Sequence, residues 1–234
     1  MEKTFKHMSK IFVCVLSLML GSAPFGPSTH SALAMQLNFN IVAPTTGSIA
    51  YGGTGGALTG TNIDVDSVVG LSTPANANVT STCLTCILNF TSGLNTSVGG
   101  GTWQFGPGGS ISITGGVDFV GSTPDIALGS TLLTGTFSSA TVSDAGVFEV
   151  TFGSFTDVKH PSLLSYYGMP SGNYDGSLTI LFTGVVGPGN AITSTNIFGG
   201  SITNIAAVPV PAAAWLFGSG LLGLYAAVRR KLAV

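Results

Sequence analysis

Charge is scarce in the middle of this 234-residue chain, and what little there is has one sign. Of seven Lys and Arg, Lys3, Lys6 and Lys10 lie at the N-terminus, Arg229, Arg230 and Lys231 at the C-terminus, and only Lys159 between them. Eight of the nine acids are interior, so that region carries a net charge of −7 although the whole chain sums to −2. A nucleic-acid partner is excluded on this ground, because neutralising phosphates takes clustered Lys and Arg. Cysteine and histidine are equally thin. Cys14 lies in the N-terminal apolar run and His7 and His30 precede residue 35, which leaves Cys83, Cys86 and His160 for the interior. A structural zinc site takes four Cys or His ligands, so no metal and no cofactor is expected. Apolar runs at helical spacing are also missing from residues 35 to 207, while 29 of the 34 glycines lie there. That glycine density opposes a helical bundle.

What is present reads as strands. Leu37, Phe39 and Ile41 alternate with Gln36, Asn38 and Asn40, and Ile63 and Val65 with Asp64 and Asp66. The same period of two recurs at Ile111 and Ile113, at Phe148, Val150 and Phe152, and at Leu178, Ile180 and Phe182. Such alternation marks half-buried strands, and the intervening Gly-Gly and Gly-Pro-Gly clusters mark turns. The expectation is an all-β domain over 35–207, an antiparallel β-sandwich of jelly-roll-like or similar form. Residues 51–60 are expected to form a flexible loop. One short helix is expected near Pro161–Tyr167, with Pro161 in its first turn. The many large aromatics supply a core and argue against disorder.

The two ends read as addresses. Three lysines, the apolar run Ile11–Leu20 and the small residues Ala32 and Ala34 describe a signal peptide over 1–34, with a signal helix and with Met35 as the new N-terminus. Signal peptidase and a Sec-type export machinery are its expected partners. At the other end, Val208-Pro209-Val210-Pro211 is followed by uncharged residues 212–228 and then by Arg229, Arg230 and Lys231. Seventeen helical residues span about 25 Å at 1.5 Å each, enough for a transmembrane helix with slight bilayer thinning, and the basic triplet is its cytoplasmic stop. Gly218, Gly220 and Gly223 would let a partner helix approach closely.

This order of short Pro motif, apolar helix and basic stop over 208–234 resembles the PEP-CTERM sorting signal of Gram-negative bacteria. It departs from the eponymous motif at Val210, where that motif has Glu. The resemblance implies recognition by an exosortase at the inner membrane, tethering through the C-terminal helix, and transfer to the cell surface or extracellular matrix. It covers only the last 27 residues and does not bear on the exported domain.

Candidate chemistry in that domain is sparse. Cys83 and Cys86 allow a disulfide, a redox couple or half a metal site. A disulfide is expected, with a tight turn at Leu84–Thr85, because an extended strand would point the two side chains to opposite faces. Asp64 and Asp66, in line with Asn62, offer oxygen ligands for Ca²⁺ or simply solvated acids on a strand face. A hydrolase would need His160 beside a carboxylate and a Ser or Thr nucleophile, and no Gly-x-Ser-x-Gly occurs in the interior. No catalysis is expected. The leading expectation is a structural or adhesive envelope protein. The alternative is a carbohydrate-binding module whose Trp103, Tyr166, Tyr167 and Tyr174 stack on sugar rings, with exopolysaccharide as partner.

Overall fold

The computed structural model describes residues 34–121 and 124–206. The expected signal segment up to residue 33, the Pro motif Val208–Pro211, the apolar stretch 212–228 and the basic stop Arg229–Lys231 lie outside the described residues. Among the described residues no helix is long and apolar enough to cross a membrane.

The described residues form strands β1 (Gln36–Val42), β2 (Ser48–Tyr51), β3 (Ala57–Leu71), β4 (Thr80–Gly99), β5 (Thr102–Phe105), β6 (Ser110–Asp118), β7 (Ile126–Asp144) and β8 (Phe148–Lys159). Helix α1 (Pro161–Tyr167), β9 (Tyr174–Val186) and β10 (Ile192–Ala206) follow. Every ladder is antiparallel. The short strands β1 and β2 lie end to end between β3 and β10, and β5 and β6 lie end to end between β4 and β7. Counting each pair once, the chain runs up and down through eight positions, each beside the next. β10 then pairs with β1, Ile205 opposite Gln36, so the circuit closes.

The all-β antiparallel class is as expected, and the described strands make one continuous sheet whose first and last strands pair. Connectivity favours this: with β1 counted with β2 and β5 with β6, every position pairs with the next along the chain, and a long sheet ending in two unpaired edges removes both by pairing them. The expectation of a loop over 51–60 is corrected. Only Gly52–Gly56 connect β2 to β3, and Ala57–Gly60 are ladder residues opposite β2.

One face of each strand is buried. Leu37, Phe39, Ile63, Leu88, Ile113, Val150, Leu178 and Ile202 are inside, while Asn38, Asn40, Thr151, Thr179, Ser201 and Thr203 face outward. A membrane-spanning barrel has the reverse polarity, apolar outside. On the outer surface one lateral row runs Gln104, Thr141, Thr151, Thr179, Ser201, Asn40, Ser67, Thr82 and Asp118, crossing every strand position in register. The interior is packed with aromatics. Phe137 stacks on Phe152 at 3.8 Å and lies edge-on to Phe155 and Phe90. Two glycines admit these rings: a Cβ on Gly60 would sit 2.1 Å from the Phe90 ring, and one on Gly176 2.2 Å from that of Phe155.

The up-and-down order gives the sheet two poles. One carries the β3–β4, β6–β7 and β8–β9 connections together with both ends of the described chain, where the Ala206 N–H donates to the Met35 carbonyl at 2.9 Å. Helix α1 caps it, burying Leu163, Leu164 and Tyr167. The other pole carries the short connections Gly52–Gly56, Gly100–Gly101, Ala145–Val147 and Gly187–Ala191.

Candidate functional site

The densest chemistry in the described residues is an interior cluster at the helix-capped pole, and a strand irregularity creates it. Phe148, Val150 and Phe152 face inward at period two, which would next turn Ser154, Thr156 and Val158 inward. A bulge at Gly153–Ser154 shifts the ladders to both neighbours, and Phe155, Asp157 and Lys159 go in instead, leaving Val158 outside. Lys159 Nζ donates to Asp157 Oδ2 at 2.6 Å, and neither side chain has any solvent exposure. The ammonium also lies 3.8 Å from the centre of the Tyr174 ring. The Tyr174 hydroxyl donates to the Pro170 carbonyl.

Burial dominates the electrostatics here. Taking both charges out of water pushes Asp157 up to about 6 and Lys159 down to about 8, against their mutual attraction. Loss of water and the nearby Asp157 carboxylate push Tyr174 up to about 12. Asp157 Oδ1 and Asn204 Oδ1 are buried with no hydrogen-bond partner. Shifted groups of this kind mark active sites when a cleft exposes them. Here the pair is sealed between strands, so its effect falls on the fold. The sequence marks Lys159 only as the sole interior cation; the bulge that internalises it leaves no local signature beyond Gly153.

Tyr167 organises the cap in a similar way. Its hydroxyl lies 2.9 Å from Ser81 Oγ and 3.1 Å from the carbonyls of Val68 and Val79, so one side chain of α1 grips β3 and β4. Loss of water pushes its phenol up. The helix starts as expected at Pro161, and His160 caps it, its Nδ1 accepting the Ser162 N–H at 3.2 Å. That bond ties the His160 imidazole to the first turn of the helix.

Three of the four aromatics expected to bind sugar are buried: Tyr167, Tyr174 and Trp103, whose indole N–H donates to the Asn190 carbonyl at 2.8 Å. Tyr166 is half-buried with its ring stacked on Phe119 at 4.0 Å. For Trp103, Tyr167 and Tyr174 the expected exposure is corrected: large rings at inward positions of a closed sheet are core, and only Tyr166 keeps part of its surface.

Cys83 and Cys86 are bonded, with Cα atoms 5.5 Å apart. The tight turn expected at Leu84–Thr85 is absent, and both residues stay within β4. A bulge brings the two sulfurs to one side instead: Val65 and Ser67 of β3 face Cys86 and Thr82, so one intervening residue is matched against three, and Thr85 takes φ +50°. Asp64 and Asp66 hold the break between β1 and β2. Asp66 accepts the Val42 N–H at 2.7 Å and Asp64 the Thr46 hydroxyl at 2.6 Å. No group of three or more His, Cys, Asp or Glu side chains that could hold a metal occurs among the described residues. Of the terminal site residues, Ala34 and Met35 are described: both are half-buried, and Met35 packs against the core immediately before β1.

No family model, curated protein or solved structure matches the chain.

Proposed function

We propose that the chain is an exported cell-envelope protein of a Gram-negative bacterium. In this reading an exosortase sorts it through residues 208–234, and its closed β-domain has a structural or adhesive role without catalysis. The observation that carries this is the order of Val208–Pro211, the uncharged 212–228 and Arg229–Lys231 directly after a domain whose last strand ends at Ala206. Two features of the domain support it. Signal cleavage after Ala34 would leave Met35 as the residue that enters β1, already paired through its carbonyl to Ala206, so no unstructured leader would remain. The intrastrand disulfide suits an oxidising compartment.

The test is cell fractionation of the tagged full chain beside a chain truncated after Ala207, in a host carrying an exosortase and in its exosortase deletion. The expected result is surface or matrix location for the full chain and loss of that location in both controls. Cytosolic full chain, or identical location of all three, overturns the reading.

A further inference from the structure

The outer face of β3, β4 and β6 holds a groove of about 190 Å³. Its polar lining is Thr59, Thr61, Asn89, Thr91, Ser110 and Ser112, all outward residues of adjacent ladders: Thr59 lies opposite Thr91, Thr91 opposite Ser110, and Asn89 opposite Ser112. Buried Phe90 and Gly60 form its floor. The groove exists because of an irregularity, since the β3–β4 register shifts between Gly60 and Ile63, and Asn62 takes φ +51° there. Two consequences bear on binding. The Asn62 N–H donates to Asn89 Oδ1 at 3.0 Å, which fixes the amide and leaves Asn89 Nδ2 as an oriented donor. The hydroxyls of Thr61, Thr91, Ser110 and Ser112 make no hydrogen bond among the described residues, so each can both donate and accept.

No lining residue is ionisable. The interior region carries −7, and its one cation, Lys159, is sealed inside. Polyanions and phosphates therefore find nothing to neutralise them on the described surface and are repelled by its acids. A run of neutral groups that both donate and accept matches a ligand whose own groups do the same. We propose that this groove binds an uncharged glycan chain, held by hydrogen bonds to Asn89, Thr91 and Ser112 with the other hydroxyls around them. This differs from aromatic stacking, which the burial of Trp103, Tyr167 and Tyr174 removes. The site stands independently of the sorting reading, since binding can be measured on purified protein wherever the cell places it.

The experiment is native affinity electrophoresis of the purified full chain in mild detergent, through gels containing dextran, laminarin, galactomannan or alginate. Retardation by at least one of the three neutral glycans and none by alginate is expected. Thr91→Val with Ser112→Ala, which keeps shape and removes two hydroxyls, should weaken the dissociation constant at least tenfold, and Asn89→Leu should do the same. Thr179→Val, on the outer face of β9, should leave it unchanged, and an unaltered urea unfolding midpoint will show that each variant is folded. Absence of retardation by all three neutral glycans overturns the proposal. So does stronger retardation by alginate, or retardation that Thr91→Val with Ser112→Ala leaves intact in folded protein.

Discussion

The two poles of the closed sheet solve one problem with different materials. Both must cover the end of an apolar interior without stranding backbone groups. At the pole that holds the chain ends, the cover is made of side chains. Leu163, Leu164 and Tyr167 of α1 pack inward, the Asn76 amide donates to the Tyr166 carbonyl at 2.7 Å, and the Tyr167 hydroxyl reaches two strands. At the opposite pole the cover is made largely of backbone. The Gly56 N–H reaches Gly53, the Asp144 N–H reaches Gly101, the Gly187 N–H reaches Ala191, and Trp103 lends one side-chain donor to Asn190. Side-chain closure concentrates energy in few atoms, so single substitutions should be costly there. Backbone closure spreads it, and the glycine pole should tolerate change unless a substitution collides with a neighbouring strand.

The largest test of this contrast is the buried pair beneath the cap. Lys159→Met leaves a carboxylate buried without its partner and should cost about 3–5 kcal/mol, read as a lower urea midpoint with unchanged slope. Replacing both partners, Asp157→Leu with Lys159→Met, should recover that loss or exceed wild-type stability, because two desolvation penalties disappear together. A double variant as unstable as the single one would show that the pair itself holds the pole.

The same pair sets the pH dependence. Asp157 rises to about 6 in the fold from near 4 when unfolded, so between those values the folded state holds more protons, and stability falls as pH rises. Lys159 falls to about 8 from its ordinary 10.5, so between those values the unfolded state holds more protons, and stability rises with pH. The pair therefore contributes least to stability between about 6 and 8. Thermal midpoints across pH should show this minimum in the wild type, and the double apolar variant should lose it.

Next in size come two bonds at the capped end of β4, one within the strand and one from the cap to it. Reducing the Cys83–Cys86 bond releases a short loop and should cost about 2 kcal/mol. Tyr167→Phe removes a hydroxyl shared among Ser81, Val68 and Val79 and should cost about 1–3 kcal/mol, since buried groups lose their partner. Hydrogen exchange should speed up in β4 near Ser81 for both changes before it does so near Gly99. Equal acceleration at the two ends of β4 would mean that the poles are not separate units.

The bulges explain how much of this was legible in the sequence. Period-two alternation marks the inward faces of β1 and of the short runs Ile63–Val65, Ile111–Ile113 and Leu178–Phe182 because no extra residue interrupts those runs, and Pro161 marks the helix because its fixed φ suits a first turn. The polarity of Leu37, Phe39 and Ile41 is likewise visible residue by residue. Beyond Phe152 the alternation gives the wrong side for Thr156 and Val158, since one extra residue at Gly153–Ser154 reverses every face that follows. The candidate site suffers most. Asp157 and Lys159 look solvated in the sequence and are interior in the fold, while the oriented Asn89 amide depends on a register slip in another strand. Closure is illegible for a related reason: it is decided by the pairing of β1 with β10, two segments separated by almost the whole domain.

The smallest expected effects lie at the glycine pole, and there two neighbouring connections should answer differently. At Gly99 an added Cβ meets nothing within 4 Å, so Gly99→Ala should shift stability by no more than about 0.5 kcal/mol. At Gly53 φ is +78° and an added Cβ would lie 2.7 Å from the Gly189 carbonyl oxygen, a backbone atom that cannot rotate away. Gly53→Ala should therefore cost at least about 1 kcal/mol for the left-handed backbone alone, and more for the displaced β9–β10 connection. That connection carries the Asn190 carbonyl that accepts from Trp103, so the displacement should also alter tryptophan fluorescence, which Gly99→Ala should leave unchanged. If both alanines are silent in stability and fluorescence, the glycine pole is looser than its backbone contacts imply, and the two ends differ in order as well as in the material that closes them.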